Sequence, residues 1–231
     1  MLNFVSTKKE YLSSYLSGLK KLQKEDIIFN NEIVGSKTYY EDNNIVIEAD
    51  CYFKLNNLCV IRTNDKNYIP RKGIIKVSNL YDQENITNGL IKVTNYILEG
   101  TDGIGKTTAI EGLLNDGIVC FDRNIDVICK YMLFDVPMEK RIIEYKKYLE
   151  KTEDKILFLV NIDEEELRRR IYSRDVVSEF DKYAVEYNRM YYDTYNNMKE
   201  KGYLNDKLFL LDCTGLSKEE QKEKIKKIVL R

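Results

Sequence analysis

Residues Tyr96–Leu114 read YILEGTDGIGKTTAIEGLL. An apolar run halts at a cluster of glycines, and a lysine and two threonines then open a helical pattern. Gly100, Gly105, Lys106 and Thr107 fit the spacing G-x-x-x-x-G-K-[ST], set between a strand-like run and a helix-like one. The physics of that spacing is specific. Glycines let successive backbone amides turn inward around a phosphate. The helix that follows aims the positive end of its dipole at the same point. Lys106 reaches the outer phosphates, and the Thr107 hydroxyl is the metal ligand of the motif. The phosphate-binding set is therefore Gly100, Thr101, Asp102, Gly103, Ile104, Gly105, Lys106, Thr107 and Thr108. Asp102 inside the turn is repelled by phosphates unless it serves a metal or a sugar hydroxyl, and its structural alternative is a turn-forming aspartate.

Outward from this turn, the chain alternates strand and helix from Leu90 onward. IVCFDR reads as a buried strand, and Met138, Ile142, Tyr145 and Leu149 lay one apolar face on a helix that starts near Pro137. KILFLVNID is a continuous apolar strand, as a parallel sheet covered on both faces requires. Glu164–Arg174 and Tyr183–Lys199 read as helices, KLFLLDC as a last strand, and the final helix opens with a capping box of Ser217 and Glu220. The pattern predicts an α/β fold, a P-loop three-layer parallel-sheet domain over residues 91–231.

Further candidates flank the turn. Asp122 and Arg123 end the strand IVCF, at the carboxyl edge where such folds hold ligands, and an arginine fork there can clamp a phosphate. Arg168, Arg169, Arg170 and Arg174 form a cluster; residues 170 and 174 share a helix face and can stabilise charge on a transferred phosphoryl group. Tyr187, Tyr191, Tyr192 and Tyr195 read as helix packing. Asp163-Glu164 after KILFLVNI imitates a Walker B strand end, or is the acidic first turn of a helix.

The first 90 residues differ. Thr7–Glu25 has helical periodicity, and short strands are expected at 38–40, 45–48, 52–55, 58–62 and 73–80, separated by asparagine-rich turns. This predicts a small α+β module before the P-loop domain. Composition bounds the chemistry. The chain contains no histidine, which excludes Ser-His-Asp and Cys-His catalysis and most zinc sites. What remains is carboxylates, lysine, arginine, amides and a hard metal ion, the inventory of phosphoryl transfer. Thirty-seven basic residues against 38 acidic ones give no general pull toward nucleic acid or an anionic membrane. No apolar run is long enough to span a membrane, and the N-terminal sequence lacks the order of a secretion signal. Five cysteines without CxxC spacing suit reduced, buried thiols, so a cytoplasmic location is expected.

From Asn95 to Val229 the chain resembles the thymidylate kinase family of P-loop nucleoside monophosphate kinases. LEGTDGIGKTT is similar to that family's phosphate loop, DRNIDVICKYM to its Asp-Arg motif, and ILFLVNIDEEELRRRIYSRD to its strand and arginine-bearing helix running into the lid. SEFDKYAVEYNRMYYDTY is similar to the lid and the following R-x-x-Y helix, with Arg189 and Tyr192 in those positions. The resemblance implies ATP and Mg²⁺ as cofactors and a small-molecule nucleotide as acceptor. By position it implies that Lys106 and Thr107 hold the ATP phosphates and metal, and that Asp102 approaches the acceptor sugar. Asp122 would assist metal or acceptor positioning, Arg123 would bind the acceptor phosphate, Arg170 and Arg174 would close over the donor, and Glu179 would belong to the lid.

One departure stands out. Only residues 109–122 separate Thr108 from Arg123, where the family has a further strand, a helix and an arginine-bearing loop that hold the base and much of the dimer face. Donor binding is expected; base identity and homodimerisation are left open. The competing readings are a P-loop kinase with another acceptor (a nucleoside, a modified nucleotide or a nucleic acid), an ATPase or switch using Asp163-Glu164, and an inactive nucleotide-binding module. The near-zero net charge argues against the nucleic-acid acceptor.

Overall fold

The computed structural model describes residues 1–7, 11–55, 58–70, 73–77, 81–122, 137–174 and 179–231, and only the backbone of 11–13, 179 and 180. The chain divides into two compact units, residues 1–94 with 111–119, and residues 95–110 with 120–231.

Six antiparallel strands make the first sheet: β1 Leu2–Ser6, β2 Lys20–Phe29, β3 Glu32–Asp42, β4 Ile45–Tyr52, β5 Leu58–Thr63 and β6 Ile74–Val77, in the order β2-β3-β4-β5-β1-β6. Two hairpins turn on asparagine pairs. Asn30 and Asn31 have φ of 48° and 64°, and Asn43 and Asn44 have 51° and 67°. Consecutive positive φ matches the strand twist, and asparagine tolerates it better than most residues.

Several local expectations are corrected here. Helix α1 spans Tyr11–Ser17, not 7–25. Gly18 and Leu19 close it, their amides donating to the Tyr15 and Leu16 carbonyls at 3.2 and 3.1 Å, and Lys20–Phe29 pairs along β3 as an edge strand. Tyr52 ends β4 and starts no separate strand, and β1 went unforeseen. A short helix, α2 Gln83–Thr87, follows β6 in the chain and went unforeseen; Asp82 caps it by accepting from the Asn85 amide at 2.8 Å. Cys51 and Cys59, directly opposite across β4 and β5, form a disulfide, where reduced thiols were expected; Cys120 and Cys213 are free and buried.

Strand alternation sorts the side chains. Phe4, Ile47, Ala49, Cys59, Ile61 and Ile74 make an apolar cluster with Tyr15 and Leu16 of α1. Lys37, Glu48, Asp50 and Arg62 occupy the alternate positions as two linked ion pairs. Arg62 Nη1 donates to Asp50 Oδ2 at 2.8 Å, and Lys37 Nζ lies 3.0 Å from Glu48 Oε1. Arg62 Nη2 donates to the Tyr81 carbonyl, so a nearly buried guanidinium has compensating partners on both terminal nitrogens.

The second sheet is parallel: β7 Lys92–Glu99, β8 Ile118–Asp122, β9 Lys155–Val160 and β10 Leu208–Asp212, in the order β10-β9-β7-β8. Its helices are α3 Lys106–Asn115, α4 Met138–Lys151, α5 Glu164–Tyr172, α6 Ala184–Glu200 and α7 Lys218–Val229. The chain is thus α/β, with one four-stranded parallel sheet and one antiparallel sheet. β9 is buried from Ile156 to Val160. Ile156, Phe158 and Val160 pack with Ile142, Tyr145 and Leu149 of α4 and with Tyr191 and Met198 of α6. Ser217 and Glu220 form the reciprocal cap of α7.

Candidate functional site

Because the second sheet is parallel, the strand ends Glu99, Asp122, Val160 and Asp212 all fall on its carboxyl edge. The glycine turn leaves that edge after β7. At Gly100 a Cβ would stand 2.6 Å from the Leu159 carbonyl oxygen, so only a residue without one lets the chain pass β9. At Gly103, φ is +81° and a Cβ would meet Ile171 Cγ1 of α5 at 2.5 Å. Ile104 is fully buried and pins the turn from within. Helix α3 starts at Lys106, and the Ala109 amide makes its bond to the Gly105 carbonyl at 3.0 Å. The amides before it lack an intrahelical acceptor, as at every helix start.

Lys106 is nearly buried and folded back over the turn, donating from Nζ to the Gly100 and Thr101 carbonyls, both at 2.7 Å. Asp102, Thr107 and Thr108 are exposed, while Thr101 is buried with its hydroxyl oxygen unpartnered among the described residues. Asp122 ends β8 with a buried Oδ1 that has no hydrogen-bond partner among the described residues. Arg123 and the side chain of Glu179 lie outside the described residues.

The arginines divide. Arg170 Nη2 donates to Glu166, to the Leu216 carbonyl at 2.7 Å and to the Cys213 carbonyl at 3.3 Å, bracing the loop between β10 and α7. Glu166 Oε2 accepts from the Gly215 amide at 2.9 Å. Burial alone would raise the Glu166 carboxyl, but the Gly215 amide and Arg170 hold it below the usual carboxylate range. Arg174 faces the turn: its Nη2 lies 3.7 Å from where a Cβ on Gly103 would be, and it donates to Asp181. Arg189 forks onto Glu164, and this hydrogen bonding keeps that half-buried carboxyl low. Asp163 caps α5 by accepting from the Glu166 amide at 3.0 Å. Tyr191 and Tyr195 pack on Phe158, and Tyr187 on Tyr183.

Three residues of this edge escaped the sequence. Gln221 of α7 is buried and donates from Nε2 to the Ile104 carbonyl at 2.9 Å, beside Gly105. Its signal is legible afterwards: a polar residue in the buried stripe Gln221, Ile225, Val229. Asn161 is wholly buried; its amide donates to Asn188 Oδ1 at 3.0 Å, and Asn188 Nδ2 returns a bond to its carbonyl at 2.7 Å. Asp181, buried beside Arg174, carried no signal at all.

Compared with known proteins, the chain matches no family model, no curated protein and no solved structure. No helix among the described residues is long and apolar enough to cross a membrane.

Proposed function

We propose that residues 95–231 bind ATP and transfer its terminal phosphoryl group to a nucleoside monophosphate, giving ADP and the nucleoside diphosphate, in the manner of thymidylate kinases. The observation that carries this reading is the turn itself. A strand of a parallel sheet runs into a glycine-paved bend that delivers Lys106 and the start of α3 to the carboxyl edge. The order β8-β7-β9-β10 supports it, because the strand bearing the turn lies between neighbours that contribute Asp122 on one side and the α5 arginines on the other.

In this reading Lys106 exchanges the Gly100 and Thr101 carbonyls for phosphate oxygens, and the inward amides of 103–107 neutralise the same group. Asp102, on the exposed side of the turn, faces the acceptor; Arg174 approaches the transferred group; Arg170 holds the 213–217 loop. Phosphoryl transfer asks for little beyond such alignment and charge neutralisation. The residues also fit Mg²⁺. Asp122 offers a buried carboxylate oxygen with no protein partner among the described residues, and Thr107 an exposed hydroxyl. Among the described residues no group of three or more acidic or cysteine side chains forms a cage, which suits an ion held by few protein ligands and mostly by phosphates and water. Bound Mg²⁺ would spread the charge that develops on the phosphates.

A second reading keeps the donor site and changes the acceptor. It is favoured by the shortness of 109–122, which takes the chain from α3 directly into β8 and leaves no residues for the family's usual base-holding strand and helix. The ATPase reading is weakened because Asp163 is used as a helix cap and Glu164 is held by Arg189. A panel of nucleoside monophosphates, nucleosides and oligonucleotides with labelled ATP decides. The kinase reading expects label on one monophosphate class and its loss in Lys106→Ala. Acceptor-independent ADP release that survives Arg123→Ala but not Asp163→Ala would replace it with the ATPase reading.

A further inference from the structure

Arg174 and Asp181 stand on either side of residues 175–178 in sequence, yet their side chains meet beside the phosphate turn. Asp181 is almost entirely buried, with its carboxylate accepting from Arg174 Nη2. The arginine is different: its side chain is 38% exposed, its Nε donates to the Ile171 carbonyl at 3.2 Å, and its Nη2 borders Gly103. A guanidinium has five N–H donors in a rigid fork. Two are accounted for, and Nη1 has no partner among the described residues.

We infer that Asp181 is a positioning residue for the proposed transfer: it fixes the Arg174 guanidinium against Gly103, leaving an unused N–H edge for an oxygen of the nucleotide's terminal phosphate. This rests on the reading of the turn as a phosphate site. A buried carboxylate that accepts a charge-assisted hydrogen bond holds the donating guanidinium in one orientation. A guanidinium can also keep a carboxylate on one edge while its other edge binds a phosphate, whereas a lysine ammonium has no such second edge. Alignment is therefore built before nucleotide arrives, rather than assembled by it.

The test is calorimetric, on the full chain, with ADP and a non-hydrolysable ATP analogue in the presence of Mg²⁺. Wild type is expected to favour the triphosphate. Asp181→Asn is expected to lose that preference by about tenfold, the scale of one charge-assisted hydrogen bond, with ADP affinity changed less than twofold. Asp181→Asn combined with Arg174→Ala is expected to bind no worse than Arg174→Ala alone. Arg174→Lys, at a partly exposed position, gives the same answer should the asparagine variant misfold: it too is expected to lose the triphosphate preference. An unchanged preference in the Asp181→Asn or the Arg174→Lys protein overturns the inference while leaving the phosphate site standing. Tighter triphosphate binding in Asp181→Asn also overturns it, since the carboxylate would then be a competitor. Failure of wild type to bind either nucleotide overturns the site and the inference together.

Discussion

At Gly103 backbone shape and side-chain packing meet in one position. Its positive φ disfavours every side chain, and a single methyl group there would overlap Ile171. The overlap is with packed carbon, not with the free end of a flexible chain, so the helix or the turn has to shift. Gly103→Ala is expected to cost about 2 kcal/mol, the sum of a left-handed backbone penalty and a small overpacking term. It is also expected to weaken ATP binding more than ADP binding, because Arg174 shares the same wall. Urea denaturation and calorimetry check the two halves. Most of the turn was legible beforehand, since glycine, lysine and threonine spacing encodes backbone shape directly. Gln221 and Asp181 were not, because a lone glutamine or aspartate in a polar helical stretch reads the same whether it faces solvent or a carbonyl 117 residues away, as Gln221 does.

At the scale of elements, the loop between β10 and α7 is held by one acid and one base of α5. Glu166 takes the Gly215 amide, and Arg170 ties Glu166 to the Cys213 and Leu216 carbonyls. The folded-state carboxyl of Glu166 is lowered, so its contribution to stability is complete above the unfolded carboxylate value, near 4.3, and is lost as pH falls through the lower folded value. Hydrogen exchange at the Gly215 amide is therefore expected to stay slow at pH 6 and to accelerate below about pH 4, beyond the intrinsic pH trend. Glu166→Gln is expected to lift the protection already at pH 6. The elements that the sequence rendered well are those with two covered faces, one regular apolar stripe or an explicit cap: β9, α4, α7. Its worst error was the α1–β2 junction. Tyr11 through Leu22 keep a helical period, and β2, exposed at all of Lys20–Asp26, shows no alternation to contradict it. An edge strand takes its shape from its neighbour, and here the partners run from Glu32, three residues after Phe29, to Glu41, 21 residues after Lys20.

For the whole molecule, the two sheets answer to different rules. The parallel sheet announced itself through continuous apolar runs, while the antiparallel sheet hid its register in asparagine turns and in the pairing of Lys37, Glu48, Asp50 and Arg62. Ligand binding should register globally even so. With Mg-ATP at about a hundred times its dissociation constant, the native state gains roughly 2.7 kcal/mol, which for a chain of this size raises the melting temperature by roughly 5–10 °C. Lys106→Ala is expected to abolish the shift in scanning fluorimetry, and an undiminished shift would place the nucleotide elsewhere. The outermost strand of the six has a consequence of its own. Its free backbone groups are an open invitation to another chain's backbone, and along Lys20, Lys21, Lys24, Glu25 and Asp26 that invitation is refused by charge. Only the tip, where Ile28 and Ile33 sit opposite each other and largely uncovered, goes unguarded. Strip the three lysines, and two copies of this protein acquire a route to pair edge to edge along this strand.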